Sequence, residues 1–181
     1  MSRRITGRTV LEGVVLTLCI AYTLAMLYLL FFERVFNHPS MFYNRDPSVP
    51  YLKTIWQHLH LRPLVTIRQF AKQLIGHTVS YRKLFFDFAF GNLFGNVLFF
   101  IPIGLFVPHY FPDCRRPFYF FATVLALDFT IELTQLLTLT GSFDIDDVIL
   151  NTAGALLGYA CYSVAAFFMH HRREDSDGRN T

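Results

Sequence analysis

Three polar residues interrupt an apolar stretch of the chain at residues 118–139. Asp128, Glu132 and Gln135 are four and three positions apart, which places all three on one face of a helix. An ionisable side chain at the centre of a membrane costs at least about 2.5–3.5 kcal/mol, so such residues usually face the interior of a helix bundle. The pattern therefore predicts a helix whose polar face meets other helices.

Two further apolar stretches carry a polar face of the same kind. Asn92 and Asn96 are four positions apart in one, and Asp147 and Asn151 are four positions apart at the start of the other. If successive helices cross a membrane in alternating directions, the polar ends of all three fall in the same half of the bilayer. The spacing thus predicts a polar pocket in that leaflet.

Purely structural roles also fit these residues. Asn and Gln join helices by hydrogen bonds, and the Gly-x-x-x-Gly spacings at 91–95 and 154–158 are typical of close helix packing. Asp144 stands three positions before Asp147, as in a capping box, and acidic residues favour a helix N-terminus. Capping and ligand binding are both open for the acidic segment.

Charge is scarce in the chain and absent from long parts of it. Hydrophobic residues make up 53% and charged residues 16% of the 181 positions, against about 25% charged in soluble domains. Three runs of 20, 25 and 24 residues contain no Asp, Glu, Lys or Arg: 13–32, 88–112 and 148–171. Because a helix needs about 20 apolar residues to cross a bilayer, a soluble enzyme, a disordered chain and a disulfide-stapled secreted module are excluded.

The predicted fold is an all-α integral membrane bundle of four transmembrane helices with an additional interfacial amphipathic helix. The third helix is the one that Asp128 and Glu132 interrupt. The predicted spans are about 10–32, 88–107, 118–139 and 148–169. The predicted organisation is a cytoplasmic N-terminus at 1–9, a membrane domain at 10–170 that contains a long loop at 33–87, and a polar tail at 171–181.

Basic residues predict the orientation of the bundle. They precede the first span, separate the second from the third and follow the fourth, whereas the loop between the third and fourth has none. Both termini are therefore expected in the cytoplasm and the acidic loop outside, although the loop at 33–87 carries eight Lys or Arg and would also lie outside. Within it, residues 66–78 follow a basic amphipathic pattern that fits an interfacial helix, with Trp56 as an anchor, or a helix packed on the protein surface.

Signatures of metal, cofactor and nucleic-acid chemistry are missing from the sequence. His58 and His60 are two apart and His170 and His171 are adjacent, so neither pair matches a zinc motif; surface positions are expected for them. We predict no metal and no cofactor. The net charge of +3 comes from residues scattered between apolar spans, which indicates membrane lipids rather than nucleic acid as partners.

Motifs in the second half of the chain resemble those of the VanZ-like family. Residues 96–104 follow N…F-x-P-x-G, residues 131–135 contain E-x-x-Q, and residues 143–154 contain D-x-x-D-x-x-x-N-T-x-G. The order and spacing of the three motifs are specific in combination. Asp128 is not part of them.

The resemblance implies a helical bacterial membrane protein linked to tolerance of glycopeptide or lipoglycopeptide antibiotics of the teicoplanin type. It implies no settled mechanism. It carries binding roles over to six residues: Asn96, Glu132, Gln135, Asp144, Asp147 and Asn151.

Three kinds of function fit the residues and the resemblance together. The first is a non-enzymatic factor that binds the drug or an envelope lipid in an outward polar pocket, because carboxylates suit the amine groups of glycopeptides. The second is an intramembrane enzyme that acts on an envelope lipid with Glu132 as general acid or base. The third is a proton-coupled transporter that uses Asp128 and Glu132.

Overall fold

The computed structural model is mainly helical and describes residues 7–32, 48–65, 68, 72 and 88–177, with side chains of the last stretch given over 95–169. The chain divides into two units, Met1–Pro50 and Tyr51–Thr181. The helix predicted at 66–78 lies outside the described residues, except for positions 68 and 72.

The first unit contains one long apolar helix. Helix α1 spans Gly7–Leu27 and continues into a π-helical turn at Tyr28–Phe32. As predicted for the first span, Thr9–Phe32 has the length and composition of a membrane-crossing helix. The hydroxyls of Thr17 and Thr23 donate to carbonyl oxygens four residues earlier, at 2.9 and 2.8 Å. These hydroxyls are therefore satisfied within the helix, as an apolar environment requires.

The second unit consists of helices and one short pair of strands. Its elements in chain order are α2 (Tyr51–Gln57), β1 (Leu59–His60), α3 (Phe88–Tyr110), a 3-10 turn (Pro112–Arg115), α4 (Pro117–Thr138), β2 (Phe143–Asp144) and α5 (Ile145–Asp177). Strands β1 and β2 pair in parallel. The mainly helical fold is confirmed, and the two-residue strand pair adds an element that the hydrophobic pattern does not predict.

Two helices of this unit are long and apolar enough to cross a membrane, namely α4 and the Ile145–Met169 part of α5. In α3, the apolar segment among the residues whose side chains are described is Gly95–Tyr110, which is shorter than a span. Three helices among the described residues therefore qualify by length and composition. The total of four spans stays a prediction.

Helices α3 and α5 pack with their backbones in close approach. A β-carbon added to Gly154 would collide with the carbonyl oxygen of Val97, and one added to Gly158 would collide with that of Ile101. Because these contact positions rise together along both helices, α3 and α5 run in the same direction. The packing role predicted for the 154–158 glycine spacing is confirmed.

The glycine spacing on α3 does not have this role at Gly95. A β-carbon there would meet no atom within 4 Å, whereas one at Gly104 would collide with the backbone of Ala155 and Tyr159 on α5. The close contact on the α3 side is therefore made by the glycine of the F-x-P-x-G motif. The α3 positions that contact α5 are 97, 101 and 104, whose spacing of four and three residues defines one helix face, and Gly95 does not lie on this face.

Helix α4 packs against α5 in the opposite direction. The ring of Phe120 stacks on that of Tyr159 at 4.4 Å between centroids, and further along Thr152 contacts Asp128. Helix α4 ends at Thr138 and is followed by Leu139, whose φ of 54° is left-handed and lets its backbone N–H reach the carbonyl of Gln135. This termination allows β2 and α5 to follow within a few residues.

Candidate functional site

The N-terminus of α5 is capped by two carboxylates from different parts of the chain. Helix α5 begins at Ile145, and the backbone N–H of Asp146 donates to Oδ1 of Asp144 at 2.8 Å, as expected for an N-cap residue. The N–H of Asp144 in turn donates to Oε2 of Glu132 at 3.1 Å. The capping role predicted for Asp144 is confirmed.

The second half of the capping box differs from the sequence expectation. In a capping box the residue three positions after the cap accepts the backbone N–H of the cap, and this position is Asp147. In the structure Glu132 of α4 accepts that N–H instead, and Asp147 accepts a hydrogen bond from Nδ2 of Asn96 at 2.6 Å. One carboxylate thus joins α5 to α4 and another joins α5 to α3.

Two further predicted residues are buried at the same end of the bundle. The side chains of Gln135 and Asn151 are 1% and 4% exposed. The backbone carbonyl of Gln135 also accepts N–H groups from Thr140 and Gly141 at 3.0 and 3.2 Å, which closes the end of α4. We call the six residues that now share this end of α3–α5 the polar cluster: Asn96, Glu132, Gln135, Asp144, Asp147 and Asn151.

A segment of the long loop covers the edge of the polar cluster. Strand β1 pairs His60 with Asp144, and the backbone N–H of Leu64, a residue with a φ of 65°, donates to a carboxylate oxygen of Asp146. His60 Nδ1 lies 3.8 Å from Oδ2 of Asp144, and the two side chains are 56% and 20% exposed. His60 is therefore at the surface, as predicted, but it also lies beside a predicted site residue.

Comparison with known proteins decides the family. A family model described as VanZ/LLP1 matches residues 19–168, which is most of the chain. This chain belongs to the VanZ/LLP1 family. A relative described as Protein VanZ, from Enterococcus faecium, is 37% identical over 87 residues, which cover 48% of this chain and 53% of that protein. The chain thus matches about half the length of this curated relative. No solved structure matches the chain.

Membership of the VanZ/LLP1 family confirms the resemblance drawn from the motifs. All six residues of the polar cluster lie inside the matched region, and four of them form hydrogen bonds between different elements, Asn96 with Asp147 and Glu132 with Asp144. The side chain of Asn92, which was expected to join them, lies outside the described residues.

The polar cluster is rich in hydrogen-bond acceptors and in acidic side chains. Glu132, Asp144 and Asp147 contribute carboxylates, and the partial positive charge at the N-terminus of α5 stabilises those nearest to it. A molecule that binds here must supply N–H or O–H donors or positive charge. Among the described residues, no group of three or more His, Cys, Asp and Glu side chains is arranged to hold a metal ion.

Access to the cluster differs sharply between its members. Glu132 is 3% exposed, while the carboxylate of Asp144 and the ring of His60 form an edge that solvent reaches. An incoming amine or hydroxyl would therefore meet Asp144 first. Glu132 lies behind it and supports it through the backbone N–H of Asp144.

Three residues of the site were not among the predicted binding residues. Asp146 is 0% exposed and holds the loop at Leu64, Thr152 is hydrogen-bonded to Asp128, and His60 borders Asp144. The motif D-I-D-D could have pointed to Asp146, because a third acidic residue within an apolar chain needs a partner. No pattern in the long loop indicates that His60 reaches this place.

Proposed function

We propose that this VanZ/LLP1 protein is a multi-pass protein of the bacterial cell membrane with both termini in the cytoplasm. In this arrangement the polar cluster opens toward the outer surface. The protein contributes to tolerance of teicoplanin-type antibiotics, and it does so by binding the drug or an envelope lipid in that pocket. The proposal joins the family membership to the geometry of the site.

One observation carries the binding proposal, namely the accessible Asp144 carboxylate backed by a buried scaffold. Its Oδ1 is engaged by the N–H of Asp146, which leaves Oδ2 on the side of His60. A partly exposed carboxylate with one oxygen held by the backbone suits an ammonium group, because a charge-assisted hydrogen bond is about twice as strong as a neutral one. Both glycopeptides and envelope lipids with amine headgroups fit this chemistry.

The position of Glu132 favours binding over catalysis. Glu132 is 3% exposed, and its carboxylate accepts the backbone N–H of Asp144 at 3.1 Å. A general acid or base must reach the proton that it transfers, whereas this carboxylate is directed at the protein backbone. We therefore assign Glu132 a positioning role, and no separate observation favours the enzyme alternative.

Expression in a teicoplanin-sensitive Gram-positive host tests the proposal. The wild-type protein should raise the minimal inhibitory concentration of teicoplanin. Asp144→Asn should abolish most of this increase, because the amide keeps the helix cap but loses the charge that attracts an amine. Asp113→Asn is the matched control, since Asp113 is an exposed acid in the 3-10 turn. Membrane levels of each variant are measured alongside.

Direct binding is measured with the purified full-length protein in detergent or nanodiscs. Teicoplanin and an amine-bearing envelope lipid are titrated separately against wild type, Asp144→Asn and Asp113→Asn. Weaker binding of at least one ligand to Asp144→Asn alone supports the proposed pocket. Unchanged tolerance on expression of the wild type, or equal binding to all three proteins, contradicts it.

A further inference from the structure

A second group of buried polar side chains lies deeper in the bundle than the polar cluster's accessible edge. Asp128 stands near the middle of the 22-residue helix α4 and is 0% exposed. Thr152 of α5 donates from Oγ1 to Oδ2 of Asp128 at 3.0 Å, and the side chain of Asn151 also interacts with this carboxyl group. The three residues form a compact contact between α4 and α5.

This group of side chains lacks one hydrogen-bond donor. Oδ1 of Asp128 and Oδ1 of Asn151 are both buried, and neither has a hydrogen-bond partner. An ionised carboxylate offers acceptors and no donor, so an ionised Asp128 cannot supply a hydrogen bond to the oxygen of Asn151. Buried polar atoms in native proteins are nearly always paired, and the two unmet acceptors therefore indicate that a donor belongs in this place.

The charges around Asp128 do not compensate a negative carboxylate. On α4 the nearest ionisable residue is Glu132, one turn away, and on α5 it is Asp147, one turn from Asn151. Both are acids. The stretch of α3 whose side chains are described, 95–110, carries two ionisable residues, His109 and Tyr110, and both are exposed near its far end. Among the described residues, no basic side chain forms an ion pair with Asp128.

We propose that Asp128 is a proton-binding site and carries a proton in the resting protein. The proton converts Oδ1 from an unmet acceptor into an O–H donor, while Oδ2 continues to accept the Thr152 hydroxyl. The oxygen of Asn151 is the acceptor for this O–H, because rotation of the amide group exchanges its oxygen and nitrogen in nearly the same space. One proton thus satisfies both unpaired atoms and removes the uncompensated charge.

The proposal also gives Asn151 a role that a plain packing residue would not have. With the proton in place, Asn151 presents its oxygen to Asp128; without the proton, it presents its nitrogen. Asn151 lies one turn from Asp147, which is hydrogen-bonded to Asn96. Gain or loss of the proton therefore changes the orientation of the Asn151 amide, which is itself part of the polar cluster.

Infrared spectroscopy of the purified full-length protein tests the proposal. A protonated carboxyl group has a carbonyl stretching band that an ionised group lacks. The band should be present in wild type, absent from Asp128→Asn and unchanged in the control Asp113→Asn. In Thr152→Val it should persist at a shifted frequency, because the carbonyl of the protonated acid loses its hydrogen bond from Thr152. Thermal melting of the same samples reports whether each variant is folded.

Asp128→Asn should fold and melt close to wild type, because an amide supplies one N–H donor and one oxygen in place of the protonated acid. Asp128→Ala should melt at a clearly lower temperature. Three results would overturn the proposal: failure of Asp128→Asn to fold, an unchanged band in Asp128→Asn, or specific stabilisation of wild type by sodium chloride over choline chloride that Asp128→Asn abolishes. The last result would show that a metal cation, rather than a proton, is bound.

Discussion

The two ends of the α3–α5 bundle are closed by different chemistry. At the polar end, carboxylates of Glu132 and Asp144 accept backbone N–H groups. At the opposite, aromatic end, the hydroxyl of Tyr159 donates to the carbonyl of Arg115 at 2.6 Å, and the Phe120 ring stacks on Tyr159. Both ends join α5 to its neighbours, but one of them does so with charged and the other with neutral groups.

The two ends therefore contribute differently to the fold. The aromatic end holds the helices together, and the polar end selects one arrangement of them. Lipid tails are as apolar as the helix surfaces, so association within a membrane depends on close packing and on hydrogen bonds between helices. The aromatic end contributes packing that several arrangements could provide. At the polar end each carboxylate meets a defined partner on another element, so a shifted helix would leave a buried donor or acceptor unpaired.

The largest effect is expected where α3 and α5 touch between the two ends. Gly154→Val places side-chain atoms against the carbonyl of Val97, and the backbone cannot move aside without separating the helices. We expect a loss of at least about 3 kcal/mol in unfolding free energy, since overpacking costs about 1–3 kcal/mol even where side chains can adjust.

The matched control for this variant is Gly95→Ala. A β-carbon at Gly95 meets nothing within 4 Å, and Ala favours a helix over Gly by about 0.5–1 kcal/mol. Unfolding of both purified variants by heat or denaturant gives the comparison. Equal stability of Gly154→Val and wild type would show that the close backbone contact is not needed.

The polar end is tested at Glu132. Glu132→Ala leaves the Asp144 N–H without its acceptor and should cost about 1–3 kcal/mol. Glu132→Gln retains a carbonyl oxygen for that N–H and should recover most of the stability. Thermal melting separates the two variants. If Gln destabilises as much as Ala, the negative charge rather than the hydrogen bond holds this end together.

The contact between Asn96 and Asp147 is tested by a double-mutant cycle. The hydrogen bond of 2.6 Å joins α3 to α5, and measured polar couplings in membrane proteins average about 0.6 and reach about 1.7 kcal/mol. We expect a coupling of about 1 kcal/mol between Asn96→Ala and Asp147→Ala, determined from unfolding in mixed micelles. Strictly additive effects would mean that the two residues act independently.

The smallest effect is expected at the aromatic end. Tyr159→Phe removes the hydroxyl that donates to Arg115 but keeps the ring on Phe120, and the site is solvent-exposed. The expected loss is about 0.5 kcal/mol, at the lower limit for a net hydrogen bond. The same melting experiments measure it. A loss as large as that of Glu132→Ala would remove the distinction between the two ends.

Much of the polar end can be predicted from the sequence, because its polar residues recur at the period of a helix. Spacings of three and four residues place Glu132 and Gln135 on one face, and alternation of helix direction brings that face to Asp144 and Asp147. The contacts Asn96–Asp147 and Glu132–Asp144 agree with this expectation. The binding role of these residues stays a prediction, since geometry alone does not identify a ligand.

Non-periodic contacts could not be predicted in the same way. The pairing of β1 with β2 involves two residues on each side, too few to produce an alternating hydrophobic pattern. The exchange of capping partners, with Glu132 in the role expected of Asp147, depends on the distance between two helices rather than on local spacing. The packing role of Gly104 likewise follows from which face of α3 meets α5.

The hydrogen bond from Leu64 to Asp146 has a consequence for how the protein is made. Its two partners are 82 positions apart, which corresponds to roughly 4–16 s of synthesis at 5–20 residues per second. During this interval the loop segment has been synthesised but its partner has not. The pocket is therefore completed only when the start of α5 has been synthesised, and a chain released before that point would lack the partners of Leu64 and Glu132.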